Sequence, residues 1–324
     1  MPVVSVDLFL AYDDKVITKR ILQGISEAVS QILPVTQKLL AFVQRIFHHF
    51  RVTLSAQYFN IEVSYDPKVF DPVDLIFNAL EALAKLAKDK KKQVLFFIDE
   101  FQEITQTESS RAIQGALRHV AQETSDLIFV FSGSHRHLLL TLFDDKALPF
   151  YMLCDKMHIK RMSSKDYAPY IQKAARDRWH SEISELTFNK IISTTELHPF
   201  YINLLCNELW QLRALPESDD VSNAWHHCFE QETRRLIAEL ERLTQNQKEV
   251  LKALAADPIT EPTGQHFLKT VGMAYSSIRQ TIKALFEKDL IDRVTELDPK
   301  LPRFKRDQIR VLDPLLAYAL RKYS

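Results

Sequence analysis

Glycine is scarce in this sequence. The chain of 324 residues has five glycines, where average usage predicts roughly 20. None of them is followed by lysine, and no two are spaced to form a GxxxxGK[ST] loop or a GxGxxG turn. The sequence therefore contains no glycine-rich turn of the kind that holds phosphate groups. The five positions are Gly24, Gly115, Gly133, Gly264 and Gly272.

Cysteine, net charge and long apolar runs are lacking as well. Three cysteines without a CxxC pair do not build a disulfide framework, and they predict a reducing, cytoplasmic setting. A formal net charge of zero excludes a polycation that coats nucleic acid, so any DNA-binding surface must be local. No apolar run has the length of a membrane span and no signal-peptide pattern is present, so no membrane partner is expected.

The remaining composition is that of a globular protein. Hydrophobic residues make up 46% of the chain and charged residues 26%. A chain of this length is too long for one ordinary core, and it predicts two or three domains.

The first half of the chain alternates predicted strands with predicted helices. The strand at 2–10 is almost wholly apolar, which is typical of a strand covered on both faces. Apolar strands at 94–98 and 127–131 end abruptly in polar residues, and 157–162 could add a short strand. Helices are expected between Asp13 and Pro34, at 36–50, from Asp71 to the lysines at 88–92, and at 109–122, with a hairpin at 52–65. This alternation predicts a parallel sheet, whose sites lie at the carboxyl ends of its strands.

The second half of the chain is mainly helical. Only helical patterns occur from residue 163 to about 243, and two proline-containing turns then begin a third region. We therefore predict three domains, at 1–162, 163–243 and 244–324.

Two carboxylates, Asp99 and Glu100, directly follow the apolar strand at 94–98. In a P-loop ATPase, the first acid at this point holds Mg²⁺, usually through water. The second polarises the water that attacks the γ-phosphate. An ordinary turn at the end of a strand explains the same two residues equally well, so this pattern alone leaves both interpretations open.

The neighbouring segments extend the pattern. The segments VLFFIDEFQE at 94–103, LIFVFSGSH at 127–135 and PFY at 149–151 strongly resemble a family of P-loop ATPases. That family occurs mainly in archaea and also in bacteria, and it is close to the AAA+ and STAND ATPases. The segment HPFY at 198–201 resembles the HPYY-type segment of the family's helical lid, although Leu197 stands where the family usually has glycine.

The resemblance implies a fold and a set of site residues. The expected fold is the α/β parallel sheet of an ASCE-type P-loop NTPase, followed by a helical lid and a winged-helix domain. By resemblance, Asp99 binds Mg²⁺, Glu100 is the catalytic base, and Ser132 takes approximately the polar sensor position next to the nucleotide. The intact family uses ATP and Mg²⁺ as cofactors.

The resemblance begins about one strand and one helix after the start of the family's ATPase domain. In the family, a strand, the Walker A loop and its helix precede the strand that lies here at 2–10. We therefore expect a truncated sheet without its central strand, which would lie between 127–131 and 157–162. We also expect this chain to bind ATP poorly or not at all, and any ATPase activity to be absent from it.

The C-terminal region has the pattern of a winged helix. Helices predicted at 244–256, 265–271 and 275–288 precede two short strands at 290–291 and 309–311. The segment VLDPLL at 311–316 also resembles the VxDP motif that closes the same ATPase family. Both features predict a winged-helix domain at the end of the chain.

Basic residues suggest how this domain could bind a partner. Residues 276–310 contain nine basic and six acidic residues. Arg279 and Lys283 are predicted on the exposed face of the third helix, and basic residues crowd the wing. The wing residues are Lys300, Arg303, Lys305, Arg306 and Arg310. We take Arg279, Lys283, Lys305 and Arg306 as candidate contacts to the phosphates of double-stranded DNA.

Two functions remain as hypotheses. The first is an ATPase-family protein that couples nucleotide state to a winged-helix domain. The alternative is a non-enzymatic winged-helix module that binds DNA or protein on a relic ATPase scaffold. The sequence leaves the partner and the oligomeric state open.

Overall fold

The computed structural model describes residues 1–33 and 71–322, which form two compact units. The first unit is Met1–Lys156 and the second is Met157–Ser324. The predicted helix at 36–50 and the predicted hairpin at 52–65 lie outside the described residues. No helix in the described ranges is long and apolar enough to cross a membrane.

The first unit is built on three parallel strands. The strands are β1 (Val3–Asp7), β2 (Val94–Asp99) and β3 (Leu127–Phe131), in the order β1-β2-β3. The helices are α1 (Asp14–Ile32), α2 (Pro72–Asp89), α3 (Ser110–Glu123) and α4 (Arg136–Asp144), and a 3-10 helix spans Phe101–Gln106. The predicted alternation of strands and helices is confirmed for this part of the chain.

Helix α1 packs closely against the sheet. The Asp13 side chain accepts a hydrogen bond from the Val16 backbone N–H, which caps the first turn. A Cβ atom at Gly24 would lie 2.4 Å from Cγ2 of Val6 and 3.0 Å from Cζ of Phe96. Glycine is therefore required at this position by the close approach of the helix to β1 and β2.

The two faces of the sheet differ in how far their side chains are exposed. On the face next to α1, side chains such as Val4 and Phe96 are fully buried. On the opposite face, Val3 is 51% exposed, Ile128 is 37% exposed and Val130 is 38% exposed. The strand composition led us to expect cover on both faces, but the described helices cover one. We call the opposite face, with Val3, Leu95, Phe97, Ile128 and Val130, the bare face.

The second unit combines a helical region with a winged helix. The helices of the first region are α5 (Ser164–Trp179), α6 (Glu185–Thr195), α7 (Pro199–Leu209) and α8 (Ser218–Glu241). The remaining elements are α9 (Gln245–Ala256), α10 (Gln265–Val271), α11 (Tyr275–Glu287), β4 (Ile291–Arg293), β5 (Ile309–Val311) and α12 (Pro314–Lys322). Strands β4 and β5 pair antiparallel to form the wing. One hydrophobic cluster runs through both regions, so the boundary at 243/244 remains a prediction.

The predicted strand at 157–162 is wrong. These residues have no regular secondary structure, and Met157 and Ile159 are 89% and 94% exposed. Helix α5 begins directly afterwards, where Ser163 and Asp166 form a reciprocal capping box. The alternating composition of this segment resembles that of a strand, but no neighbouring strand in the described residues pairs with it.

Candidate functional site

Asp99 and Glu100 lie at the carboxyl end of the central strand. Asp99 is the last residue of β2, and Glu100 has a left-handed backbone conformation with a φ angle of 50°. This conformation is uncommon for a residue with a side chain, and such backbones occur often at functional sites. It turns the chain from β2 into the 3-10 helix, so both carboxyl groups remain at the rim of the sheet.

Residues at the end of the neighbouring strand hold the two carboxylates in place. The Ser132 hydroxyl and the Glu100 backbone N–H both donate to Oδ1 of Asp99, the latter over 3.0 Å. The Ser134 hydroxyl donates to Oε2 of Glu100 over 2.8 Å, and the Ser134 backbone N–H donates to the same oxygen over 3.3 Å. The structure therefore brings together all three predicted residues of the sheet rim.

Gln102 and Gly133 belong to the same arrangement. The Gln102 amide donates to Oε2 of Glu100, and its side chain is buried. A Cβ atom at Gly133 would lie 2.0 Å from Oε1 of Gln102, so glycine leaves the space that the amide occupies. We had assigned no role to either residue. Gln102 lies in the DEFQ segment and Gly133 in the SGS segment, and membership of these segments is the sequence signal that could have identified them.

The hydrogen bonds keep Glu100 ionised. Burial alone would raise the pKa of the Glu100 carboxyl, and the charge of Asp99 acts in the same direction. Hydrogen bonds from Gln102 and Ser134 outweigh both effects, so the pKa lies below its ordinary value. The Glu100 carboxyl is therefore charged at neutral pH.

These residues fit Mg²⁺ better than they fit a phosphate chain. Carboxylate oxygens are the ligands that Mg²⁺ prefers in proteins, usually one or two of them together with water. In residues 1–33 and 71–322 no group of three or more His, Cys, Asp or Glu side chains could hold a metal ion. Phosphates need a cradle of backbone N–H groups and a lysine, and the sequence has no turn of that kind.

The candidate DNA contacts are distributed over two elements of the winged helix. Arg279 and Lys283 are exposed on α11, and Lys283 forms an ion pair with Glu287 at 3.6 Å. Lys305 and Arg306 are exposed in the loop that precedes β5. All four side chains are therefore accessible to a partner.

The prediction that Arg310 belongs to the basic wing surface is wrong. Arg310 is 8% exposed, and its Nε donates to Oδ1 of Asp292 over 2.9 Å. Its NH1 lies 3.7 Å from Oε2 of Glu196. Because β5 is buried along its whole length, this guanidinium points into the unit and pairs with carboxylates there.

Glu196 is the centre of a buried group of charges. The residue is 4% exposed, and guanidinium nitrogens of Arg161, Arg303 and Arg310 lie 3.7, 4.0 and 3.7 Å from its carboxylate. Arg161 also donates to the backbone oxygens of Glu196 and Leu312. This group links the segment before α5, the end of α6 and the end of β5.

The HPFY segment at 198–201 and the VLDP segment at 311–314 contact each other next to this group of charges. The Tyr201 hydroxyl donates to Oδ2 of Asp313, and NH2 of Arg235 donates to the Tyr201 oxygen over 3.0 Å and to Asp313 over 3.2 Å. The HPFY segment and the VLDP segment thus touch through side chains that belong to the motifs themselves. Leu197 has a φ angle of 61°, a left-handed conformation that glycine adopts without steric cost.

His198 is kept neutral in this environment. Burial lowers the pKa of His198 to about 4, and the positive charge of Arg161 acts in the same direction. Its Nδ1 atom is buried without a hydrogen-bond partner. A charged imidazole would be unfavourable next to the guanidinium groups.

Comparisons with known proteins agree with this architecture. The family described as a probable winged helix domain matches residues 236–321. The Walker-type ATPase PABY2304 of Pyrococcus abyssi is 14% identical with a TM-score of 0.64, and the match covers 99% of this chain and 84% of that chain. The ORC2 protein of Aeropyrum pernix, solved in ADPNP–ADP complexes, is 14% identical with a TM-score of 0.52, over 99% of this chain and 77% of that chain. No curated protein matches.

These similarities establish the fold class. The chain combines a parallel three-stranded sheet and helices, similar to those of P-loop ATPases, with a C-terminal winged helix. The predicted fold class is therefore confirmed. At 14% identity the likeness concerns the fold alone.

Proposed function

We propose that this protein belongs to the ATPases related to the AAA+ and STAND groups and couples nucleotide state to its winged helix. The observation that supports the proposal is the convergence of Asp99, Glu100 and Ser132 at the carboxyl ends of two adjacent parallel strands. This is where open α/β sheets bind ligands. In this proposal Asp99 holds Mg²⁺ through water, Glu100 orients the attacking water, and Ser132 senses the nucleotide.

The chain by itself binds nucleotide weakly in this proposal, because its sequence has no Walker A turn. A bound Mg²⁺–ATP would supply the phosphoryl group and the metal charge. In this proposal the residues at the rim orient water and supply negative charge, but they do not bind phosphates. We place the protein in the cytoplasm, in line with its unpaired cysteines.

Calorimetric titration with Mg²⁺–ATP tests this proposal. We expect no binding in the micromolar range by the wild-type chain, and no change in the Asp99→Asn or Glu100→Gln variants. Asp177→Asn, at an exposed position in α5, is the matched control. Micromolar affinity that Asp99→Asn weakens and Asp177→Asn leaves intact would show that the chain holds phosphates without a Walker A turn.

The accessible basic residues of the winged helix support a second candidate function. In this alternative the protein is a non-enzymatic module that binds double-stranded DNA, or a protein, on an ATPase-like scaffold. Arg279, Lys305 and Arg306 are exposed cations on the two elements that winged helices use for DNA. Lys283 adds a fourth, partly neutralised by Glu287.

The salt dependence of binding to double-stranded DNA distinguishes DNA binding from protein binding. Replacing Lys305 and Arg306 by alanine should flatten the slope of log affinity against log salt by about two if each contacts a phosphate. The double variant Lys173→Ala/Arg213→Ala removes the same charge from exposed positions outside the winged helix and should leave the slope unchanged. An unchanged slope in the first variant would indicate protein docking.

A further inference from the structure

Helix α8 borders a groove in the second unit. The groove has a volume of about 740 Å³ and lies between α8, Lys252 of α9 and the end of α12. Along α8 its lining residues recur every three or four positions from His226 to Leu240, which places them on one face of the helix. These positions span about four helical turns, or roughly 21 Å. The groove is therefore long enough to lie against a helix of similar length.

The floor of the groove is apolar. Phe229 and Leu236 of α8 and Leu320 of α12 are buried beneath it. Ile237, on the same face of α8, is 50% exposed. The Thr233 hydroxyl donates to the Phe229 backbone oxygen over 2.8 Å, so its proton is used within the helix. Apolar side chains on one face of a groove that reaches solvent are typical of a site that receives an amphipathic helix.

Cationic side chains dominate the charges that line the groove. Arg234, Lys252 and Lys322 contribute three positive charges, and Glu230 contributes one negative charge. The formal balance of these four side chains is therefore +2. Oε1 of Glu230 also lies 3.6 Å from Nε2 of His226. The groove favours a ligand that carries negative charge beside its apolar part.

The cations are spread along the groove instead of being gathered at one end. Nζ of Lys322 lies 3.1 Å from Nδ1 of His226, at the first turn of the groove. Arg234 lies about two turns farther along α8, which corresponds to roughly 12 Å. A ligand with one anionic head group would pair with one of these cations only. A helix with several acidic residues pairs with both.

We propose that this groove binds an amphipathic helix of a partner protein whose apolar face is flanked by acidic residues. The apolar face fills the floor between α8 and α12, and the acidic residues pair with Arg234 and Lys322. Charge complementarity is the argument for an acidic partner, because the same cations repel a basic helix. All lining residues belong to the second unit, so the proposal does not depend on the nucleotide site.

Peptide binding tests the proposal. The probes are fluorescein-labelled synthetic helices of about four turns, with leucine or isoleucine at every third or fourth position and glutamate on both flanks. A matched set has lysine in place of every glutamate and keeps the same apolar residues. We expect saturable binding of the acidic set to the full chain, measured by fluorescence anisotropy. At low salt it should be about ten-fold tighter than binding of the lysine set, and the difference should shrink as salt is added.

Two substitutions locate the binding site. Ile237→Asp places a charge on the apolar floor and should weaken binding of the acidic set about ten-fold. Arg234→Glu, at an exposed position, should weaken the acidic set and strengthen the lysine set, and it serves alone if the first variant fails to fold. The matched controls are Leu186→Asp, at a 68% exposed leucine, and Arg213→Glu, at an exposed arginine. Both lie outside the groove and should leave both affinities unchanged.

Other results identify a different occupant and overturn the proposal. Binding of phosphatidylserine vesicles that Ile237→Asp abolishes, without binding of any peptide, would identify a membrane surface. A dimer in sedimentation that Ile237→Asp dissociates would identify a second copy of the chain. Equal affinities for the acidic and lysine sets would show that the cations select nothing.

Thiol modification decides the remaining case, in which a monomer binds no peptide. The rate of maleimide addition to the Ile237→Cys variant is compared with the rate for Leu186→Cys. Much slower addition at position 237 would show that another part of the same chain covers the groove. Equal rates would show that the groove is accessible and receives no such helix.

Discussion

The two units differ in how they treat their charges and their apolar faces. In the second unit the carboxylate of Glu196 is buried among guanidinium groups, and one apolar cluster continues from the helical region into the winged helix. In the first unit the carboxylates lie at the sheet rim, held by neutral donors, and one face of the described sheet is bare. The second unit surrounds its buried carboxylate with guanidinium groups, whereas the first leaves its carboxylates at the rim of the sheet.

The difference distinguishes charges that join elements of the fold from charges that a ligand could reach. A buried carboxylate among three arginines fixes how elements join, and its removal should cost stability. The carboxylates of Asp99 and Glu100 lie at the rim, where they join fewer elements and are accessible to a ligand. The following predictions sharpen this comparison of the two units, beginning with the largest expected effect.

Replacing Glu196 should destabilise the second unit strongly. The Glu196→Gln change keeps the shape of the side chain but leaves buried guanidinium groups without their carboxylate, which costs about 3–5 kcal/mol. All three tryptophans lie in the second unit, so their fluorescence during urea unfolding reports on it. Glu185→Gln, at an exposed ion pair with Lys300, is the control and should leave the midpoint unchanged. A midpoint for Glu196→Gln equal to wild type would mean that this charge group is not structural.

Two glycines of the first unit should respond in opposite directions to alanine. A Cβ atom at Gly24 would lie 2.4 Å from Val6, so Gly24→Ala should destabilise the unit by about 1–3 kcal/mol through overpacking. Gly115 lies within α3 with nothing within 4 Å of its Cβ position. Gly115→Ala should therefore stabilise the helix by about 0.5–1 kcal/mol. Denaturation followed by circular dichroism measures both, and a Gly24→Ala protein as stable as the wild type would contradict the close packing of α1.

The sequence predicted most of the local structure. Capping residues and apolar periodicity identified α1, α10 and α11 to within a few residues, since these signals are local. The strand at 157–162 was wrong because a strand is defined by its neighbour, and a short apolar segment contains no information about pairing. The uncovered face of the sheet could not be predicted either, because an apolar strand has the same sequence whether or not a helix lies on it.

The candidate site shows the same limit. The two carboxylates and Ser132 were found because they follow apolar strands and because the surrounding segments resemble a family. The contribution of Gln102 and Gly133 depends on an approach between two loops that are far apart in sequence. The burial of Arg310 was missed because a run of basic residues does not show which member points inward.

The last prediction concerns the pH dependence of the second unit. The pKa of His198 is about 4 in the folded protein, lowered first by burial and then by the charge of Arg161, and ordinarily it is 6.5. Between these values the unfolded chain binds a proton that the folded chain does not, so stability falls as the pH drops from 6.5 to 4. Above 6.5 both states are neutral and the contribution does not change.

Replacement of His198 removes this contribution to the pH dependence of stability. The urea midpoint of His198→Gln should therefore fall less between pH 7 and pH 4.5 than that of the wild type, measured by tryptophan fluorescence. His158→Gln, at an exposed position before α5, should keep the wild-type pH dependence. Equal slopes for all three proteins would mean that His198 takes up its proton in the folded state. Burial and the charge of Arg161 would then not keep the imidazole neutral, which would contradict the description of this part of the second unit as closed to protons.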